Sequence, residues 1–371
     1  MKLKLIAAMV LSVAMGASTV YGAEAKAEEK RVIKYEEAVE LASKNNSSLT
    51  TLNESIDLME KNNELLVEQF ESTVVSLGQL GQGTMNNATG TILTNAKTLE
   101  SNIKNSRLNK EIATTGSEYL VKNYFSGIKQ AEAGIELLKD KYDLTLASYN
   151  QSLLKNKLGI ISDNDLQTAK NNVEKDKSTL EQTKLTLEKT YESLGNALGL
   201  SQGTKFEIEY DLEYSPMEMT RSLESYISTS ISNSPSLEIL ENNEDLAATV
   251  KNISVFSPEP YSYLQNEYSY NSASRSYGDA VDNMKVSIAA TYNDVMKYEL
   301  ERESLEAALV DAQTTYNTAL TNYNLGNVTE LTLKQAELGL KSAENDLLTN
   351  TYNHDMKVFE FENPSVIQSS K

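Results

Sequence analysis

Cysteine is absent from the 371 residues. Its absence excludes disulfides, thiolate metal sites, thiol catalysis and lipid attachment through an N-terminal cysteine. Tryptophan is absent as well, phenylalanine occurs six times, and the five prolines all lie at or after Pro216. An ordinary globular domain needs more loop punctuation and a more aromatic core; long helices need neither. Beyond the N-terminus, no stretch reaches the ~20 apolar residues of a membrane helix. His354 is the only histidine, and a lone histidine in a helix is read as packed or solvated rather than catalytic. No GxSxG, HExxH, P-loop or CxxC pattern is present. With no recognisable nucleophile–base pair or metal constellation, the expectation is a non-enzyme that uses no cofactor.

What is present begins with a leader. Lys2 and Lys4 precede the apolar run Leu5 to Ala17, and Ala23-Glu24-Ala25 supplies a cleavage site. This is the order of a secretory signal peptide, assigned to residues 1–25. Removing it takes two Lys and one Glu, leaving 32 basic and 52 acidic residues. So acidic a surface is repelled by a phosphate backbone, which excludes nucleic acid as a partner. The mature chain is expected outside the cytoplasm, in the cell envelope or at the cell surface.

Heptads follow. From Leu166 the apolar or small positions run Ala169, Val173, Leu180, Leu187, Tyr191, Leu194 and Leu198, with Asp176 and Lys184 among the polar interruptions. A second seam reads Leu309, Ala312, Tyr316, Ala319 and Tyr323, and a third Leu333, Ala336, Leu340, Ala343 and Leu347. Steps of three and four sustained over this length predict long helices packed nearly parallel or antiparallel. A single helix cannot keep such stripes from water; they must face partners.

The chain also repeats itself. Asn45 to Leu49 (NNSSL) is echoed by Asn233 to Leu237 (NSPSL), and Leu52, Asp57 and Leu58 return as Leu240, Asp245 and Leu246, at an offset of 188. Tyr149-Asn150, Leu158-Gly159, Leu166 and Ala169 return as Tyr316-Asn317, Leu325-Gly326, Leu333 and Ala336, at an offset of 167. The first unit therefore carries 21 residues more than the second. One structural unit is used twice: residues 26–204 and 205–363, with a tail at 364–371. The fold class is all-α, with at most one or two short strands (one over Lys205 to Tyr214), as two tandem helical hairpins. In each unit a short helix (about Tyr35 to Lys44 in the first) breaks at the NNSS or NSPS motif into a second helix. That helix is expected to fray in the glycine-rich Gly78 to Gly90, or in a loop at Ser257 to Gly278. A long helix then runs to a capping glycine, Gly159 or Gly326. Ser162 and Thr329 start the next helix, with Asp163, Asp165 and Glu330 in its first turn.

The turns Asn156 to Ala169 (NKLGIISDNDLQTA) and Tyr323 to Ala336 (YNLGNVTELTLKQA) resemble the inter-helix turn of the TolC outer-membrane efflux family. There, a glycine ends the long helix, Ser or Thr follows, and an Ala stands ten residues after the glycine. Tyr35 to Ala42 with Asn45 resembles that family's opening segment, and the likeness spans Tyr35 to Phe361. It implies a homotrimeric tube of antiparallel helices, serving efflux with a periplasmic-type adaptor and an inner-membrane exporter. Threefold assembly would gather Asp163, Asp165 and Glu330 into acidic rings at the tube entrance. Asp165 falls on the family's acidic position six residues after the glycine; in the second repeat that place holds Thr332.

One part of the family pattern is missing. The family inserts a β-barrel into each repeat, and a membrane strand needs about 9–11 alternating residues. Gly78 to Gly90 lacks an aromatic girdle, and the second insertion point offers only Tyr261-Ser262-Tyr263 and Tyr268-Ser269-Tyr270. Five of the 20 tyrosines fall between 261 and 277. Tyr261, Tyr263, Tyr268 and Tyr270 are read as an aromatic patch at the tube end, either a residual hairpin or a loop folded on its own helix. Without the barrel, a second function stays open: an extracytoplasmic coiled-coil scaffold of the wall or surface.

Overall fold

The computed structural model describes residues 31–77, 82–254 and 260–368, with side chains described for 31–68, 90–254 and 261–366. The leader at 1–25 lies outside the described residues. A four-residue strand β1 (Arg31–Lys34) leads into α1 (Tyr35–Asn45), α2 (Ser47–Leu77), α3 (Gln82–Lys157) and α4 (Asp163–Ala197). The second half of the chain begins with β2 (Phe206–Glu209) and continues with α5 (Leu223–Ser232), α6 (Pro235–Ser254), α7 (Pro260–Asn324) and α8 (Glu330–Glu362). A short α9 (Pro364–Gln368) occupies the predicted tail and buries Val366. At 1.5 Å per residue, α3 with its 76 residues is about 110 Å long.

The repeat signature NNSS/NSPS is a helix start used twice. Asn46 caps α2, its Oδ1 accepting from the Ser48 amide at 2.9 Å. Ser234 takes the matching place before α6, its Oγ accepting from the Leu237 amide at 3.4 Å. Pro235 follows as the first helical residue, where its missing N–H costs nothing. Three residues past each cap, Leu49 and Leu237 are both buried.

The 21 extra residues of the first repeat can be located. Helices α2 and α3 have 31 and 76 residues against 20 and 65 for α6 and α7, so each arm of the first hairpin is 11 residues longer. The connection is one residue shorter, 78–81 against 255–259, which accounts for the total.

Two expectations are corrected here. Helix α3 begins at Gln82, so the glycine-rich residues 82–90 are helical and not frayed. Glycine weakens a helix by about 1 kcal/mol per residue, and packing offsets it: a Cβ on Gly90 would stand 3.3 Å from Ile253 Cγ2 of α6. Likewise, 260–278 is the first part of α7, neither loop nor hairpin. Tyr263, Tyr270 and Tyr277 recur every seven residues and are half-buried. Tyr277 packs on the core formed by Leu237, Met284 and Ile288, and the Lys251 ammonium of α6 sits 4.1 Å from the Tyr270 ring centroid. A heptad stripe with a neighbour to cover it overrides the β-propensity of tyrosine.

The dense core is a belt at mid-length. Strands β1 and β2 pair in parallel, Ile33 opposite Ile208, joining the segment before α1 to the segment after α4. Ile33, Phe206, Ile208 and Tyr210 turn inward onto Val121, Phe125, Leu194 and Tyr352. Tyr35 stacks on Tyr210 at 5.2 Å, and Phe125 meets both edge-on. Below the belt the seams read in the sequence are half-buried to buried from Leu166 to Leu198. Asp176 is part of that seam, not an interruption. It is buried, accepting from Thr145 Oγ1 at 2.7 Å and paired with Lys141 at 3.3 Å.

Candidate functional site: the paired hairpin tips

Helices α3 and α7 end in the same device. Gly159 has φ +71° and Gly326 φ +75°, in the left-handed region that disfavours a Cβ. The Gly159 amide donates to the Asn156 carbonyl and the Ile160 amide to that of Lys155, both at 2.8 Å. The Gly326 amide donates to Tyr323 at 2.9 Å, and Asn327 to Asn322 at 2.8 Å. This double bond pattern satisfies the orphan carbonyls at a helix end and reverses the chain.

Ser162 and Thr329 cap the returning helices, as read. Ser162 Oγ accepts from the Asp165 amide at 3.2 Å, and Asp165 Oδ2 accepts in return from the Ser162 amide at 3.1 Å and from Ser162 Oγ at 2.7 Å. Those bonds hold the Asp165 carboxyl below its ordinary value. Thr329 Oγ1 accepts from the Thr332 amide at 3.3 Å. Asp163 accepts from the Asn156 side chain at 2.9 Å. Glu330 pairs with Lys334 at 2.9 Å, which lowers its pKa. Each of the three acids therefore has a local partner in its own tip, whatever further part it plays.

The sequence reading overlooked the apolar residues around these acids. Leu154, Leu158 and Ile160 at one tip and Leu325 at the other are exposed. Their signal was the shared Leu-Gly pair, read only as a cap. The tyrosine patch lies at the opposite end of α7: Tyr261 and Tyr268 are exposed, Tyr263 and Tyr270 half-buried. His354 stands apart from both ends. It is buried beside the belt, Nε2 at 3.2 Å from Glu299 Oε1 and its ring 5.0 Å from that of Tyr214. Glu299 also accepts from the Met217 amide at 2.7 Å, so the pair ties the inter-repeat linker to α7 and α8. No group of three or more His, Cys, Asp or Glu among the described residues has the spacing to hold a metal.

Comparison of the whole architecture with solved structures identifies its kind. The chain aligns with the Campylobacter jejuni CmeC outer membrane channel at TM-score 0.67 and 12% identity, over 90% of this chain and 85% of that one. The chain has the fold of TolC-like outer-membrane channels. A membrane protein from Pseudomonas aeruginosa aligns at TM-score 0.67 and 11% identity over 89% of both chains. The open state of the Neisseria gonorrhoeae MtrE outer membrane channel aligns at 0.62 and 11% identity, over 90% and 89%. No protein-family model matches the sequence, nor does any curated protein. The TolC-like fold is present here without a barrel among the described residues. Among the described residues the strands are β1 and β2 alone, and helix occupies 82–90 and 260–278. No helix among the described residues is long and apolar enough to cross a membrane.

Proposed function

We propose that this chain is one subunit of a helical conduit in the cell envelope, a homotrimer that works with an adaptor and an exporter. The observation that carries the reading is that the helices form an open layer. Toward the glycine tips α4 packs on α3, α3 on α8 and α8 on α7; toward the other end α2 packs on α3, α3 on α6 and α6 on α7. No comparable packing joins α7 to α2 or α4 among the described residues. Both edges carry exposed apolar side chains, including Val286, Leu300 and Val310 on α7 and Leu185 on α4. A layer with two free, apolar edges reaches closure by meeting copies of itself, and three copies of a four-helix layer make a twelve-helix tube. The exposed Leu158 and Leu325 tips then ring one mouth, the natural place for an adaptor to dock.

Light scattering on the mature chain tests this, with end-on electron micrographs. A threefold ring is expected; a helical monomer at micromolar concentration overturns it. The scaffold reading draws on one observation of its own, that helix occupies 82–90 and 260–278 where the channel family places its barrel. A scaffold would form the same tube without carrying anything through it.

A further inference from the structure

Residues 210–222, which link β2 to α5, lie against the second half of α8 and leave a cavity of about 380 Å³ there. Part of its wall is apolar, from Pro216 and Met217 of the linker and Val358 of α8. Glu213, Glu218 and Glu362 also line it, and among the described residues no Lys or Arg does. The bases near by are committed elsewhere. Lys122 pairs with Asp355 at 2.7 Å. Arg302 holds Glu306 at 2.9 Å and Thr351 Oγ1 at 3.0 Å. Arg221, which shares a second cavity with Glu362, donates to Thr229 Oγ1 at 2.9 Å. Among the described residues, no ion pair reaches Glu213, Glu218 or Glu362.

Two further features of the cavity ask for a cation that carries N–H donors. Glu362 is the last residue of α8, and the last turn has no basic residue. The negative end of the helix dipole therefore adds to the carboxylates instead of opposing them. The second feature is His354, whose ring lines the cavity and is 3% exposed. Its Nε2 faces Glu299 Oε1, which also accepts from the Met217 amide. A carboxylate only accepts, so Nε2 carries the proton of this pair, and in the neutral ring Nδ1 keeps a lone pair. Among the described residues no group donates to Nδ1. A buried acceptor without a donor is costly.

We propose that this cavity binds an alkylammonium group, supplied either by a free diamine or by a lysine side chain of a partner. The ammonium brings one positive charge and three N–H donors, which meet His354 Nδ1 and the carboxylates of Glu213, Glu218 and Glu362. The methylene stem lies on Pro216, Met217 and Val358, as such stems do on apolar surface. A metal ion is the poorer fit, because among the described residues no group of three acids or histidines has the spacing to hold one. The site is built within one chain, so it does not depend on the tube.

The single histidine allows a direct test. In the mature chain with isotope-labelled histidine, the ring C–H signals of His354 report on this cavity alone. Putrescine and N-acetyl-lysine amide are titrated in separately, and a saturable shift of those signals is expected. Saturation by putrescine alone assigns the site to a free diamine; saturation by the capped lysine alone assigns it to a partner's side chain. Saturation by both supports the shared chemistry. Glu218→Gln with Glu362→Gln keeps the shape and removes two unpaired charges, so it should weaken the binding by about tenfold or more, with helicity unchanged by circular dichroism. Tetramethylammonium has the charge without an N–H donor. If it shifts the signals with the same midpoint as putrescine, screening explains the effect and the site is overturned. No saturable shift with either amine at millimolar concentration overturns it too, as does binding that Glu218→Gln with Glu362→Gln leaves undiminished.

Discussion

At the scale of single residues, three positive-φ glycines end helices, and their surroundings rank them. Gly159 and Gly326 have nothing within 4 Å of a prospective Cβ, so a substitution there meets only the backbone penalty, about 1–2 kcal/mol. Gly199 ends α4 at φ +71° in a tighter place, its prospective Cβ 2.7 Å from Asn45 Oδ1. Asn45 cannot withdraw freely, because its Nδ2 donates to the Asn196 and Ala197 carbonyls at 2.9 and 3.2 Å. Gly199→Ala should therefore destabilise the chain more than Gly159→Ala or Gly326→Ala in denaturant titrations; equal effects would contradict the contact. Gly159→Val and Gly326→Val should loosen their tips, seen as faster local amide exchange, with overall helicity nearly unchanged. The two tip glycines were legible because a Leu-Gly pair at the same place in both repeats, each followed by a Ser or Thr three residues on, marks a helix end and a helix start together. The clash at Gly199 was not, since Asn45 reaches it across 154 residues of chain.

At the scale of elements, heptads and caps were legible and tertiary pairings were not. The 3/4 spacing of Leu166 to Leu198 and the Ser162 and Thr329 starts are local and survive translation into structure. Strand β2 was visible as the alternation from Phe206, but its partner β1 was not, because nothing local marks Arg31 to Lys34 as its neighbour. Residues 260–278 were misjudged for the same reason: a tyrosine-serine alternation looks like strand until α6 covers every seventh residue. The belt built on β1 and β2 carries its own prediction. Burial, with Asp355 beside it, pushes the Tyr210 hydroxyl far up, and burial with Glu118 nearby does the same to Tyr35. Burial followed by Glu360 raises Tyr119 to about 12, and burial followed by Asp211 raises Tyr352 to about 12. Folded values above the unfolded value of about 10 mean stability that is complete below pH ~10 and drains away as pH rises through the folded values. Thermal melts should fall steeply between about pH 10 and 12, with tyrosinate absorbance rising as the belt opens. Tyrosines that ionise near pH 10 with the helices still intact would contradict the packing.

At the scale of the whole molecule, the question that follows from the proposed tube is whether it carries anything, and the tips decide it. Asp163, Asp165 and Glu330 accept from Asn156, Ser162 and Lys334 respectively. The amides of Asn and Gln keep an accepting oxygen, so Asp163→Asn, Asp165→Asn and Glu330→Gln together preserve the caps while removing three negative charges per chain. Since all three side chains are at the exposed start of a helix, helicity and melting temperature should change little. Assembly should also survive, because the apolar edges of α7, α2 and α4 are untouched. A threefold ring would gather those carboxylates at one mouth beside Leu158 and Leu325, where a passing cation or a docking adaptor must meet them. Under the conduit reading the triple variant should therefore lower export in cells that depend on the wild-type chain. Leu158→Ser with Leu325→Ser should lower it as well, by removing the apolar part of the docking surface. A scaffold has no use for either feature. Normal export at wild-type abundance in both variants would leave a closed helical tube with nothing to conduct, and the function would pass to the cell wall.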